Sequence, residues 1–390
     1  MISTNRRSRF RIARVALLFA TAASGAAPSL RAQEVSKTEI PSRLSDSAFW
    51  QLVTDFSEPG GFFRSDNFVS NEITFQWVLP ELAKTTKRGG VYMGVGPDQN
   101  FTYIVAMQPK VAFIVDIRRQ NMLHHLLYKA LIELSPDRAE FLSRLFSRPK
   151  PAGLEADSGP AALFQAFANV EGDSALFAQN LAAVKDQLVG RHKFGLTTDD
   201  LRTIEYVYTA FYTAGPDLTY SFTMPGRGAS MMFYGRRMPT YAELMMESDG
   251  SGVGRSYLAT EENYRTLRDL ERSNLIVPLV GDFAGDKAIR SVGQYVRDHG
   301  ATVTAFYTSN VEQYLFQSDD WRKFFTNVGT LPLDTSSTFI RAIFNFSTAS
   351  SQTGTPGPRS RTMLAPIAEQ FEAFKEGRIS TYWDVIQSSR

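Results

Sequence analysis

Apolar residues fall along this chain into two alternating kinds of run. Residues 91–95, 111–115, 275–280 and 302–307 are short, almost continuous apolar or β-branched stretches bounded by Gly, Pro, Asp or Asn. That is the pattern of strands buried on both faces, and it predicts neighbouring parallel strands of one sheet. Between the runs the apolar period changes to that of a helix. Phe101, Ile104 and Val105 share one helical face after Asp98, a predicted N-cap, and Pro109 stops that helix. Further helices are predicted over 286–297, ended by His299-Gly300, and over 311–316. Residues 338–346 concentrate β-branched and aromatic side chains and predict a terminal antiparallel strand. From about 120 to 216 no strand is evident. Pairs such as Met122-Leu123, Leu126-Leu127, Phe141-Leu142 and Leu145-Phe146 recur at helical spacing instead, and another helix starts near Thr198.

Strands alternating with helices predict an α/β fold, a mostly parallel sheet with helices on both faces and a helical insertion at about 120–216. Ligands of such sheets bind at the carboxyl ends of the strands. At the first of these ends stands Gly94-Val95-Gly96-Pro97-Asp98, and the next strand ends on Asp116. Glycines at a first βα turn admit close approach of a ligand, the helix start offers free N–H groups, and an acid about 20 residues on accepts ribose hydroxyls. The third glycine of a dinucleotide fingerprint would stand at Gln99 and is absent. A plain turn with a solvated Asp116 is the competing reading. Asp98 beside the turn and Asp282 at a later strand end complete the cofactor-side candidates.

On these residues the chain resembles the class I S-adenosylmethionine-dependent methyltransferase superfamily, a Rossmann-like fold. The resemblance rests on Val91-Tyr-Met-Gly-Val-Gly-Pro97, on Asp116, and on the helix, turn and strand around Arg297 to Tyr307, about half of the chain after residue 32. It implies S-adenosylmethionine as cofactor, with Gly94 and Gly96 at its methionine end and Asp116 on its ribose. Two departures stand out: Tyr92 occupies a place often held by an acid, and no catalytic motif follows. A NAD-type oxidoreductase using the same turn and an exported binding protein with a degenerate Rossmann fold are the alternatives.

Upstream of the first strand, residues 56–72 interleave Glu58, Arg64, Asp66, Asn67, Asn71 and Glu72 with Phe62, Phe63 and Phe68. Such a segment predicts a lid, with Arg64 on a ligand carboxylate and the aromatics shielding it, or else a turn that caps helices and anchors itself in the core. Asn310, at the tip of the strand over 302–307, joins Glu58, Arg64, Asp66 and Asn67 as a lid or substrate candidate. Ser309-x-x-Glu312 reads as a helix capping box. His124 and His125, adjacent on a helix, face different ways and do not suit one metal. No zinc pattern is present, the chain has no Cys, and no metal site is predicted.

The N-terminus changes the electrostatic picture. Arg6, Arg7, Arg9, Arg11 and Arg14 precede an apolar and small-residue stretch over 15–27, and Ala32-Gln33 offers a cleavage point. That is the pattern of a secretory signal, too short to span a bilayer, and it predicts a periplasmic or secreted protein without a permanent membrane span. Arg6-Arg7 also begins a twin-arginine pattern, although Phe10 stands one place late for it. Of 42 Lys and Arg against 40 Asp and Glu, six Arg lie in residues 1–32, which leaves the remainder at a net −4. Such a chain lacks the basic footprint of a nucleic-acid binder, so the predicted partner is a small molecule. The predicted organisation is a signal over 1–32, a helical or lid segment over 33–88, the α/β domain over 89–347, and a linker with a C-terminal helical segment over 348–390.

Overall fold

The computed structural model describes residues 39–221, 238–344 and 360–390. The expected signal and its cleavage point lie outside the described residues. Six strands form one sheet: β1 (Val91–Gly94), β2 (Val111–Asp116), β3 (Ile276–Val280), β4 (Val303–Ser309), β5 (Thr338–Phe344) and β6 (Ser360–Pro366). Their order is β3-β2-β1-β4-β5-β6. The first five are parallel, and β6 runs antiparallel to β5. The fold is a Rossmann-like α/β architecture. The chain moves outward from β1 to β3, then crosses back to β4 on the other side of β1, which makes the β1–β4 junction the topological switch point.

Every residue of β1, β2 and β3 is buried, as is all of β4 except its last. A strand dry on both faces needs a helical layer on each. One layer holds the helices Gln99–Met107, Arg119–Glu133 and Glu261–Arg272, and the other holds Asp46–Phe56, Ala288–Asp298 and Trp321–Val328. Between β2 and β3 the helices Arg138–Phe146, Pro160–Ala168, Ser174–Lys185 and Thr198–Ala214 pack beside the first layer, partly through direct contact of Thr198–Ala214 with Arg119–Glu133. A capping box of Thr197 and Asp200 starts the last of them.

Three readings of local sequence are corrected here. Residues 338–344 pair parallel with β4, and the antiparallel strand is Ser360–Pro366, inside the stretch read as linker. Period-two alternation encodes which side chains face the core but not the direction of the neighbouring strand, and the Ser, Thr, Gly and Pro residues before Ser360 disguised its start. Ser309 and Glu312 form no capping box: the helix Val311–Gln317 has Asn310 at its N-cap without a side-chain cap bond. Asp98 occupies the N-cap position of Gln99–Met107, but its side chain makes no cap bond either.

Candidate functional site

The glycine turn is held from behind. Asn100 donates from Nδ2 to the carbonyl oxygens of Val95 (2.9 Å), Gly96 (3.2 Å) and Pro97 (2.7 Å), while its Oδ1 accepts from the Tyr92 hydroxyl at 2.8 Å. Burial pushes the pKa of His125 down to about 4. Its neutral ring therefore donates from Nε2 to the Gly96 carbonyl, 2.9 Å away. The turn is thus rigid before any ligand arrives. Gly96 has φ +78°, which favours glycine. Gly94 serves a different purpose from the one expected: a Cβ there would stand 1.9 Å from Asn100 Oδ1, so its hydrogen makes room for the Asn100 brace. Both His124 and His125 are fully buried, His124 stacking on Tyr128.

Above the carboxyl ends of β1, β2, β3 and β4 opens a cleft of about 470 Å³. Gly96, Asp116, Asp282, Asn310 and Asn67 all line it, so four strand tips and the upstream segment meet at one place. Gly94, Asp98, Glu58, Arg64 and Asp66 are not on its wall. Asp98 is buried with its carboxylate accepting from the Tyr257 hydroxyl at 3.2 Å, and desolvation pushes its pKa up to about 7. The Glu58 carboxylate accepts from the backbone N–H groups of Lys287 and Ala288, both at 2.7 Å, and so caps the start of Ala288–Asp298. Arg64 is exposed. Asp66 ties the segment to the helices around it, through Gln120 Nε2 at 3.4 Å and the Tyr206 hydroxyl at 3.3 Å.

Asp116 is already engaged. Its Oδ1 accepts from Nε and the backbone N–H of Arg118, both at 2.9 Å, and its Oδ2 accepts from Nη2 at 2.8 Å. The remaining Arg118 nitrogen donates to the carbonyl oxygens of Asp66 (2.6 Å) and Ser65 (3.2 Å). This guanidinium fastens residues 57–72 over the cleft, and it stands 5.9 Å from the ring of Phe63, which meets Tyr314 edge-on at 5.3 Å.

The most unusual group on the wall is Glu72, in sequence only one of six polar residues of its segment. It is 1% exposed. Its Oε1 accepts from the Tyr307 hydroxyl at 2.6 Å and from the Ser309 hydroxyl, and Tyr307 in turn accepts from Gln99 Nε2 at 2.9 Å. Glu72 Oε2, Gln99 Oε1 and Asn67 Oδ1 are buried with no hydrogen-bond partner. Desolvation pushes the Glu72 pKa up to about 7 against the opposing effect of the two hydroxyls. Nothing in the local pattern marks Glu72, because its partners come from β4, more than 230 residues later.

Among the described residues the wall carries Glu72, Asp116, Asp282 and Asp320 against a single cation, Arg118, which is spent on Asp116. Among the described residues no group of His, Cys, Asp or Glu is assembled to hold a metal ion, and no helix is long and apolar enough to cross a membrane.

A family model described as a domain of unknown function (DUF7790) matches residues 67–156 and 225–367, more than half of the chain. Its matched segments contain all six strands of the sheet. No curated protein matches the sequence.

Proposed function

We propose, for a chain that belongs to the DUF7790 family, that the cleft takes S-adenosylmethionine or a closely related nucleoside, as in a methyltransferase-like protein working in the periplasm or outside the cell. The observation that carries this reading is the meeting of the braced Gly96 turn with the Asp116 and Asp282 strand tips on one cleft, at the switch point. The charge of the wall supports the same choice. Its acids and three unpartnered acceptor atoms suit a ligand rich in donors and positive charge. S-adenosylmethionine offers ribose hydroxyls, an adenine amino group, an ammonium and a sulfonium, and when bound it supplies an electrophilic methyl group.

A dinucleotide fits less well. Its pyrophosphate would face Asp282, Asp320 and Glu72 with no uncommitted cation among the described wall residues. The antiparallel β6 also departs from the second parallel half of a dinucleotide-binding sheet. On this reading the Gly96 turn receives the ligand backbone-on, and Asp116 Oδ2, which accepts only one bond from Arg118, retains capacity for a ribose hydroxyl.

Calorimetric titration of S-adenosylmethionine, S-adenosylhomocysteine and NAD into the protein lacking residues 1–32 tests the proposal. Binding of the first two without NAD is the expected result. Binding of NAD alone moves the function to an oxidoreductase, and folded protein that binds none of them is an exported module without this chemistry. For export, intact mass of protein recovered from the periplasmic or secreted fraction should begin at Gln33, and a full-length chain there would contradict it.

A further inference from the structure

We propose that Glu72 makes the β4 side of this cleft a receptor for an aliphatic amine on an apolar stem, whose N–H groups complete the unpartnered Oε2. The inference rests on the reading above only for the location of the cleft. Asp116 ends β2 and Ser309 ends β4, with β1 and its Gly96 turn between them. At about 4.8 Å per strand, the ends of β2 and β4 stand roughly 10 Å apart across the turn, and Ser309 holds Glu72 at the β4 end. A nucleoside over Asp116 therefore leaves the β4 side to another group.

Geometry sets the chemistry of that group. Glu72 Oε1 is satisfied by Tyr307 and Ser309, while Oε2 is desolvated and unsatisfied, so the missing partner of the carboxylate form is a donor. Among the described residues of the wall no uncommitted cation fills the role. Among the described residues, the titratable groups that feel Glu72 are Tyr92 on β1, Tyr103 on Gln99–Met107, Tyr307 on β4 and Tyr382 on the helix Tyr382–Gln387, and burial holds all four phenols neutral. The nearby Arg341 is closed on Glu312. On the same wall Phe63 and Tyr314 meet edge-on, and Phe62 is 86% exposed. Aromatic rings on the same cleft wall as a carboxylate favour an ammonium carried on an apolar stem.

Binding then exchanges one cation for another. Below its pKa of about 7 Glu72 carries a proton, and an alkylamine arrives as ammonium. Forming the carboxylate–ammonium pair sends the Glu72 proton to solvent, one per ligand. Affinity therefore rises with pH through 7, by about tenfold between pH 6 and pH 8. The ligand-free protein follows the opposite sign. A folded-state value above the ordinary 4.5 contributes stability that is full below 4.5 and declines as the pH rises through 7.

The test is calorimetry with phenethylamine and its neutral counterpart phenethyl alcohol, at pH 6 and 8 and in buffers of different protonation enthalpy. The expected result is amine binding with proton release at pH 6, about tenfold tighter at pH 8, and no such dependence for the alcohol. Glu72→Gln should weaken the amine at least tenfold, and it should remove both the pH dependence of binding and the decline in stability between pH 4.5 and pH 7. The proposal is overturned if the amine binds equally at both pH values, if the alcohol binds as well as the amine, or if folded wild-type protein ignores the amine. The wild-type comparisons hold even if the variant does not fold. A parallel titration of 5′-methylthioadenosine, which has no aliphatic amine, reports on the nucleoside side alone. Its binding without the amine sinks this inference and leaves the function above, and the reverse result does the opposite.

Discussion

Asp116→Ala is expected to lower the folding free energy by about 3–5 kcal/mol, the cost of stranding a buried charge. Asp116 and Arg118 are 4% and 6% exposed and share the forked pair described above. Without the carboxylate, the guanidinium keeps the carbonyls of Ser65 and Asp66 and the face of Phe63. The sequence alone suggests the opposite, that a residue at a strand tip is removable with little harm to the fold. Denaturant unfolding of the purified variant decides between them, since a loss below about 1 kcal/mol would match an exposed ion pair instead. The double replacement Asp116→Asn with Arg118→Met, which leaves no unpaired charge, is expected to recover most of the loss. Residues 57–72 should loosen in the single variant, because Arg118 is their tether to β2. For the same reason, ligand binding lost in Asp116→Ala is informative only alongside its measured stability.

An effect of the same size is expected at the other side of the sheet. Arg341→Met should cost about 3–5 kcal/mol and favour aggregation on heating. Arg341 lies in β5 and Glu312 on the helix after β4, with side chains 1% and 2% exposed. The pair is bidentate, through Nε to Oε2 and Nη2 to Oε1 at 2.9 Å, and Thr308 adds its hydroxyl to Oε2 at 3.2 Å. Truncation leaves the Glu312 carboxylate dry with one neutral donor. The companion replacement Glu312→Gln in the Arg341→Met background removes that charge and should restore cooperative unfolding near the wild-type midpoint. Equal stability of the single and double variants would show that packing around β5, rather than the stranded charge, sets the cost.

The chain's own letters determined four of the six strands of the sheet. The four runs at 91–95, 111–115, 275–280 and 302–307 became β1 to β4, adjacent and parallel, because strands dry on both faces leave an unbroken apolar signature in sequence. Gly96, with its positive φ, and the acids at the ends of the strands were equally legible, since turn geometry and strand tips are local properties. What a polar side chain faces is a different matter. Glu58, Asp98 and Asn67 look alike in sequence, yet one caps a helix, one is buried against Tyr257, and only Asn67 reaches the cleft. Ser309 and Glu312 have the spacing of a capping box, but the tertiary fold offered them Glu72 and Arg341, charged partners that outweigh a local cap. The residue that most marks the site, Glu72, acquired its character only when β4 brought Tyr307 and Ser309 to one of its oxygens and the packed segment excluded water from the other. Desolvation depends on every neighbour in space, and a one-dimensional pattern records only the neighbours in sequence.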